Sequence, residues 1–259
     1  DLPLNENRYE KCPFCNAEHE KKFSIRRVAA GILYKCFRAS CGKQGIVGDI
    51  HNGYAQGSSQ QPSKKKPRVF KGSLGEIPQV IFDYNFARYD LTIEDFKAQG
   101  IKYCVDLRRI YFPIYDYRGY QIGETLKALD VMEKPKNLTN PWSYDVPTLH
   151  YPLGYTHAQK VVLVEDIVSA TKIKKYVPDI VPIALLGTNI NDAGILQLIS
   201  LDITSVYILL DGNAVDQAIR IYKQLSGLFY AGIVSIPITK DPKDLSPEEL
   251  RDTLSKPLK

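Results

Sequence analysis

Val161-Val162-Leu163-Val164-Glu165-Asp166 is a run of four aliphatic residues that stops on two carboxylates, and the chain repeats the device. Val206-Tyr207-Ile208-Leu209-Leu210 stops on Asp211-Gly212-Asn213, and Gly232-Ile233-Val234-Ser235-Ile236 leads to Lys240-Asp241-Pro242-Lys243-Asp244. Short apolar runs of this kind read as strands buried on both faces. Between them the pattern predicts helices over 169–176, 193–200 and 214–225 and a further strand over 183–186. Strand and helix in regular alternation imply a parallel sheet covered by helices, and such sheets bind ligands at the carboxyl ends of their strands. Carboxylates delivered to neighbouring strand ends meet along one edge, the arrangement that holds Mg²⁺. A single acidic pair is explained as a helix cap, with Asp211 before the 214–225 helix a ready example. Three in this order favour a metal site.

Working outward, a break falls near Pro152-Leu153-Gly154. Before it, Asp90-Leu91-Thr92 precedes a short helix over 93–97 closed by Gly100, a plausible capped segment. Arg109-Ile110-Tyr111-Phe112-Pro113-Ile114 and Tyr120-Gln121-Ile122-Gly123 flank Asp116-Tyr117-Arg118-Gly119. Two strand-like runs around a turn that ends in glycine read as a β-hairpin.

At the other end, Cys12-Pro13-Phe14-Cys15 is followed twenty residues later by Cys36 and then Cys41. Two close cysteine pairs at this separation have the spacing of a four-cysteine zinc ribbon, in which two tight turns deliver four thiolates to one Zn²⁺. His19 is a possible substitute ligand, although four cysteines already complete the shell. About 50 residues cannot fold on an apolar core alone, so the metal supplies much of the folding free energy. The ribbon carries Arg26, Arg27, Lys35, Arg38 and Lys43 interleaved with Phe23, Tyr34 and Phe37. Basic and aromatic side chains together suit a single nucleic-acid strand, where phosphates pair and bases stack. The fifth cysteine, Cys104, sits in an apolar stretch and reads as a buried structural thiol.

Charge follows the same division. Residues 1–75 carry 14 Lys+Arg against 6 Asp+Glu, a balance of +8, whereas the remaining 184 carry 20 against 23, a balance of −3. A basic front and a mildly acidic back suggest a polyanion-binding arm joined to something that holds cations. Residues 54–68, YAQGSSQQPSKKKPR, read as a flexible polar linker. No run of about 18 apolar residues is present, which argues against a membrane span, and DLPLNENRYE lacks the basic and apolar regions of a signal peptide. No Walker A pattern is present either, so the chain carries no helicase motor.

These parts, in this order, resemble the DnaG-type primases of bacteria and bacteriophage. The string Arg109 to Ile114 with Asp116, Arg118-Gly119 and Ile122-Gly123 looks like the family's core motif. Pro135-Lys136-Asn137-Leu138-Thr139-Asn140 looks like its PKYLNS segment. Glu165, Asp211, the Asn213 position and Lys240 to Asp244 are similar to the Toprim signature, and Cys12 to Cys15 opens the usual primase ribbon. Two departures stand out: Glu165-Asp166 replaces the family's Glu-Gly, and Asn213 replaces the second Asp of its Asp-x-Asp. An amide oxygen ligates Mg²⁺ without bringing charge, so one metal site is weakened unless Asp216 points inward to compensate.

The resemblance implies a multidomain α+β and α/β architecture: a zinc ribbon over 1–53, a linker over 54–72, a basic α+β subdomain over 73–158 and a Toprim α/β subdomain with a mostly parallel sheet over 159–259. It implies RNA primer synthesis on a single-stranded DNA template from ribonucleoside triphosphates, with structural Zn²⁺ and catalytic Mg²⁺ or Mn²⁺. Glu165, Asp211 and Asn213 would ligate the catalytic metal with Asp241 and Asp244 in support, and Arg109, Lys127 and Lys136 would contact phosphate or template. The ribbon would bind nucleic acid through Arg26, Arg27, Lys35, Phe37, Arg38 and Lys43. A separate replicative helicase and a DNA polymerase are the expected partners, or the chain is part of something longer, working in the cytoplasm, that of the host if the source is viral. The alternatives are a Toprim nuclease and a catalytically attenuated module that binds DNA or a replisome partner.

Overall fold

The computed structural model describes residues 2–3, 6–15, 21–28, 31–38, 40–47, 72–130, 132–141, 149–154 and 159–255. The expected linker lies outside the described residues except for its last position, and so does His19. The described residues build three sheets.

The parallel sheet is the one expected from the alternating pattern. It comprises β10 (Lys160–Val164), β11 (Val181–Ala184), β12 (Ser205–Ile208) and β13 (Tyr230–Ile233), in the order β11-β10-β12-β13 with every pairing parallel. The intervening helices are α3 (Ile167–Tyr176), α4 (Asp192–Ser200) and α5 (Val215–Leu225), and α6 (Pro247–Ser255) closes the chain. Three strands, β11, β12 and β13, lie one to three residues ahead of their expected positions. β11 starts at Val181, and Leu186, with φ of 56°, cannot continue it. Pro182 is accommodated because β11 lies at the sheet edge. Main-chain pairing outlasts the formal strands: Leu209 N–H donates to the Leu163 carbonyl and Val234 N–H to that of Ile208, both at 2.9 Å.

Both faces of β10 are buried, which is why its sequence does not alternate. Val161 and Leu163 pack with Ile195 and Leu198 of α4 and with Ala218, Ile221 and Leu225 of α5. Val162 and Val164 pack with Ile167, Ala170 and Ile173 of α3 and with Leu250 and Leu254 of α6. At roughly 1.5–3 kcal/mol for each fully buried aliphatic side chain, the four residues anchor both layers.

An antiparallel sheet precedes it: β5 (Leu74–Gly75), β6 (Lys102–Cys104), β7 (Arg109–Tyr115), β8 (Gln121–Ala128) and β9 (Asn137–Pro141), in that order. The expected hairpin is β7–β8. Buried Asp116 makes its turn, accepting N–H groups from Arg118 and Tyr120 at 2.9 Å each, while Gly119 takes the φ of 81°. Helices α1 (Gln79–Asn85) and α2 (Ile93–Ala98) flank the sheet, and α2 begins at a Thr92/Asp95 capping box. Phe82, Phe86, Phe96 and Phe112 join the α3 side of the parallel sheet in one core. Fully buried Cys104 packs with Tyr111 and Leu126. His150 stitches the two sheets together: its backbone bridges Ala184 of β11, and its Nδ1 accepts the Tyr115 N–H at 3.3 Å.

The ribbon is a four-stranded antiparallel sheet, β1 (Asn7–Glu10), β2 (Phe23–Val28), β3 (Gly31–Cys36) and β4 (Gln44–Val47). It docks on α5 and β13, with Asn7 donating to the Lys223 carbonyl at 3.2 Å and the Tyr230 hydroxyl donating to that of Phe37 at 3.0 Å. Val28 and Leu33 enter the core beneath α4 and α5. Gln159, Thr204 and Tyr230, which border the ribbon, precede or open β10, β12 and β13, so the ribbon sits by the amino ends of these strands.

Candidate functional site

The four cysteines close on one point. Their sulfur atoms all lie within 4.8 Å of one another, with Cys12 to Cys41 at 3.8 Å and Cys15 to Cys36 at 3.9 Å. A Zn²⁺ tetrahedron with Zn–S bonds of about 2.3 Å has edges of about 3.8 Å, so the donor set and its dimensions fit structural zinc. The Phe14 N–H donates to the Cys12 sulfur at 3.4 Å, a contact that favours thiolate. Burial pushes the Cys36 thiol up to about 12 in the absence of a cation. Four cysteine sulfurs gathered this closely are a donor set that metal ligation satisfies. Phe14, Phe23 and Tyr34 stack around the cluster with centroids 5.6–5.8 Å apart.

The second site lies at the opposite ends of the parallel strands. The chain leaves central β10 toward β11 on one side and returns to β12 on the other. The carboxyl ends of β10 and β12 therefore frame a topological switch point, where open α/β sheets form clefts. Glu165 follows β10 and Asp211 follows β12, and both line a cleft of about 410 Å³ together with Asp166, Asp241, Lys127, Lys136 and Lys243. Residues Phe86, Arg88 and Tyr89 supply its far wall.

Glu165 and Asp211 are adjacent, the Asp211 N–H donating to Glu165 Oε1 at 3.1 Å. Asp211 Oδ1 is buried and has no hydrogen-bond partner. Burial, reinforced by the carboxylates of Glu165, Asp241 and Asp166 and opposed by Lys243, pushes the Asp211 carboxyl up to about 7. Burial and the neighbouring acids raise Glu165 as well. An orphaned buried oxygen in a cluster of mutually repelling carboxylates is the environment a divalent cation relieves, so these donors fit the metal that the sequence implies.

Beside this pair stands an ion cluster. Lys243 Nζ bridges Asp166 Oδ2 at 2.8 Å and Asp241 Oδ2. Burial works against the ammonium, but the two carboxylates hold it above the usual lysine range. Burial likewise opposes the Asp166 charge, and Lys243 and Lys127 nevertheless hold Asp166 below the usual carboxylate range. Lys172, fully buried on α3, donates to Asp90 Oδ2 at 2.9 Å, to the Lys243 carbonyl at 3.0 Å and to the Leu245 carbonyl. One side chain thus ties the 241–245 segment and the Asp90 corner of the far wall to the same helix.

The structure brings Glu165, Asp211, Asp241, Lys127 and Lys136 to the cleft and leaves other expected residues out of it. Arg109 is 3% exposed and does not line the cleft. Its guanidinium donates to the carbonyls of Leu126 at 3.3 Å, Pro135 at 3.0 Å and Lys136 at 3.4 Å and to Glu133 at 2.5 Å. It therefore braces the loop that carries Lys136, instead of meeting phosphate itself. Asn213 is exposed and outside the cleft, because the chain turns at Gly212, whose Cβ position would lie 2.0 Å from the Pro237 carbonyl oxygen. Asp216, on the first turn of α5, is exposed too. Asp244 is exposed and accepts the Asp241 N–H at 2.9 Å, so it shapes the turn and stands apart from the cleft.

The ribbon's basic residues also divide. Arg26 and Lys35 are buried, 0% and 5% exposed, so they are not displayed as expected. Arg26 donates to the Gln224 carbonyl of α5, and Lys35 Nζ lies 5.5 Å from the rings of Phe37 and Phe229 and 5.7 Å from Tyr230. Burial pushes the Lys35 ammonium down to about 8. Phe37 packs edge-on against Tyr230 at 5.4 Å. Arg27 and Lys43 are exposed and Arg38 is half-buried. Sequence reading placed Asp166 among the strand-end acids without its lysine partner, overlooked Lys172 and Arg88, and took Lys240 to Asp244 for its acids alone. The lysine inside that string was the available signal.

No protein-family model matches the chain, and no curated protein matches it in sequence. Among solved structures it is similar to the DnaG primase catalytic domain bound to single-stranded DNA, with 17% identity over 68% of this chain and 71% of that one and a TM-score of 0.55. It is similar to the DnaG catalytic core, with 19% identity, 68% and 72% coverage and a TM-score of 0.54. The E. coli primase catalytic core gives 18% identity, 68% and 71% coverage and a TM-score of 0.53. At these identities the likeness is one of fold. The shared part is an α+β segment followed by a parallel α/β sheet. More particularly, it has the fold of a DnaG primase catalytic core, with a four-cysteine ribbon preceding it.

Proposed function

We propose that the chain is a DNA primase, one that joins ribonucleoside triphosphates on a single-stranded DNA template by metal-dependent nucleotidyl transfer. The observation that carries this reading is the convergence of Glu165 and Asp211 with Lys127 and Lys136 in one cleft at the switch point of a sheet with the DnaG-core fold. The bond made joins a primer 3′-oxygen to the α-phosphorus of the incoming nucleotide; the bond broken releases pyrophosphate. A divalent cation, Mg²⁺ or Mn²⁺, supplies charge neutralisation at the triphosphate and the attacking oxygen when bound by Glu165 and Asp211.

The chain's own groups do the positioning. Lys127, whose ammonium burial pushes below its usual range, faces the cleft from β8, and Lys136 from the loop before β9. Both are placed to hold phosphate oxygens, and Arg109 keeps the Lys136 loop in place through the carbonyls of Pro135 and Lys136. Arg88 adds a cation on the opposite wall. Positioning and charge neutralisation suffice for such chemistry without a tuned general base. On the ribbon, Arg27 and Lys43 are exposed cations that would meet a template strand, with half-buried Arg38 beside the cysteines. The same reading divides the chain into a ribbon over 1–53, a linker over 54–72, a basic subdomain over 73–158 and a catalytic subdomain over 159–259. It also places the work in a replisome with a helicase and a DNA polymerase, in the cytoplasm. Among the described residues no helix is long and apolar enough to cross a membrane.

Incubation with labelled ribonucleotides, Mg²⁺ or Mn²⁺ and a random single-stranded DNA tests the proposal. Short RNA products that require the divalent ion are expected. Cut DNA with no RNA product would replace the proposal with the nuclease reading.

A further inference from the structure

Lys243 is held in the cleft too firmly to act as a mobile surface lysine. Its side chain is 7% exposed, its Nζ contacts Asp166 and Asp241, and its carbonyl is gripped by Lys172 at 3.0 Å. Asp166 is fixed in turn, because its other oxygen caps α3 by accepting the Ser169 N–H at 2.8 Å. Five carboxylates border the cleft: exposed Asp130, which accepts the Met132 N–H at 2.8 Å, and the strand-end group Glu165, Asp166, Asp211 and Asp241. Two of the strand-end group, Asp166 and Asp241, therefore already share an internal cation, which offsets one of their two charges. Glu165 and Asp211 form the remaining pair, and Asp211 Oδ1 has no partner. The further residues the sequence offered for a metal shell, Asn213, Asp216 and Asp244, are all exposed.

We propose that Lys243 is a built-in cation that limits this site to one divalent ion, bound at Glu165 and Asp211, with Asp166 and Asp241 committed to the lysine. A second ion at Asp241 would have to displace the ammonium or sit against it. The inference rests on the cleft being the metal-dependent site proposed above, and it extends that reading to how many ions the site takes.

The test is Mn²⁺ binding to the zinc-loaded full chain, counted by electron paramagnetic resonance during titration. Thiolates retain Zn²⁺ while carboxylates take Mn²⁺, so the ribbon does not enter the count. One Mn²⁺ per chain is expected for the unmodified protein and for Lys243→Arg, and two for Lys243→Gln, in which Asp166 and Asp241 are released. Asp241→Asn should keep one ion with its affinity unchanged within about fivefold, the range of a modest charge effect. The Asp241→Asn variant tests the assignment even where Lys243→Gln fails to fold. Two ions in the unmodified protein, one ion in a folded Lys243→Gln, or loss of binding in Asp241→Asn would overturn the inference. No Mn²⁺ in the unmodified protein would sink the functional reading along with it, whereas an unchanged count in Lys243→Gln would sink the inference alone.

Discussion

The two ends of the parallel sheet hold two kinds of charged site, and they differ in completeness. By the amino ends, the ribbon gathers four thiols whose spacing already matches a zinc tetrahedron, leaving no position for substrate. At the carboxyl ends, Glu165 and Asp211 offer a partial shell beside an open cleft, with spare oxygens and lysines facing it. A closed donor set serves folding; an open one serves chemistry. Cations differ in the same way. Lys243 is buried with carboxylates and held charged, whereas Lys35 is buried among rings with no carboxylate and its charge is disfavoured. Burial alone therefore does not say what a lysine does; its neighbours do.

The largest effect expected from this contrast is on the closed site. Cys36→Ser should unfold the ribbon, because a structural zinc shell contributes on the order of 10 kcal/mol. Hydrogen exchange would then show protection lost over β1 to β4 and kept over β10 to β13. Uniform loss across both sheets would show that the ribbon and the parallel sheet fold as one unit.

Next in size is Lys172→Met, which removes the partner of Asp90 and of two carbonyls. A loss of about 2–3 kcal/mol in denaturant unfolding is expected, the cost of leaving the two buried carbonyls unpaired, since the half-exposed Asp90 regains water. A loss below about 1 kcal/mol would mean that Lys172 does not brace the cleft walls.

Lys35 should act in the opposite direction. Its folded value near 8 lies below the unfolded 10.5, so between these limits the unfolded chain binds more protons and stability rises with pH. The cost is fully present below pH 8 and gone above pH 10.5. The rise is at most about 1.4 kcal/mol per pH unit, and Lys35→Met should remove it while raising the Tm at neutral pH. A lower Tm in that variant would show that the ring contacts outweigh desolvation.

The smallest effect is predicted for Asn213→Asp. The side chain faces solvent, so primer synthesis should change by less than about threefold, as for an ordinary surface substitution. A large gain would revive the attenuated reading that this asparagine raised.

The parallel sheet, the β7–β8 hairpin, the capped α2 and the zinc ligands were legible because each rests on local pattern: unbroken apolar runs, a glycine turn, a capping box and paired cysteines. Convergence of Glu165, Asp211 and Asp241 followed from strand order alone. The corrections concern direction and partners, which pattern does not encode. Arg109 lies on a strand whose carbonyl neighbours come from a loop near 135, and Asn213 is exposed one residue after Gly212, which packs closely on Pro237. Arg26 on β2 and Lys35 on β3 stand beside other polar or apolar residues with no pattern that marks a buried face, and the docking of the ribbon on α5 and β13 decides which side is buried. Lys172 sits in an ordinary helical sequence, and its three partners are 71 to 82 residues away.

The central claim is tested most directly by de novo incorporation of labelled ribonucleotides on single-stranded DNA, with the unmodified chain and Glu165→Gln measured side by side in Mg²⁺. The account predicts short RNA from the unmodified chain and a drop of about a hundredfold or more in the variant, the scale of losing a metal's several kcal/mol. Equal product from both proteins would contradict it, as would no RNA from the unmodified chain in either Mg²⁺ or Mn²⁺.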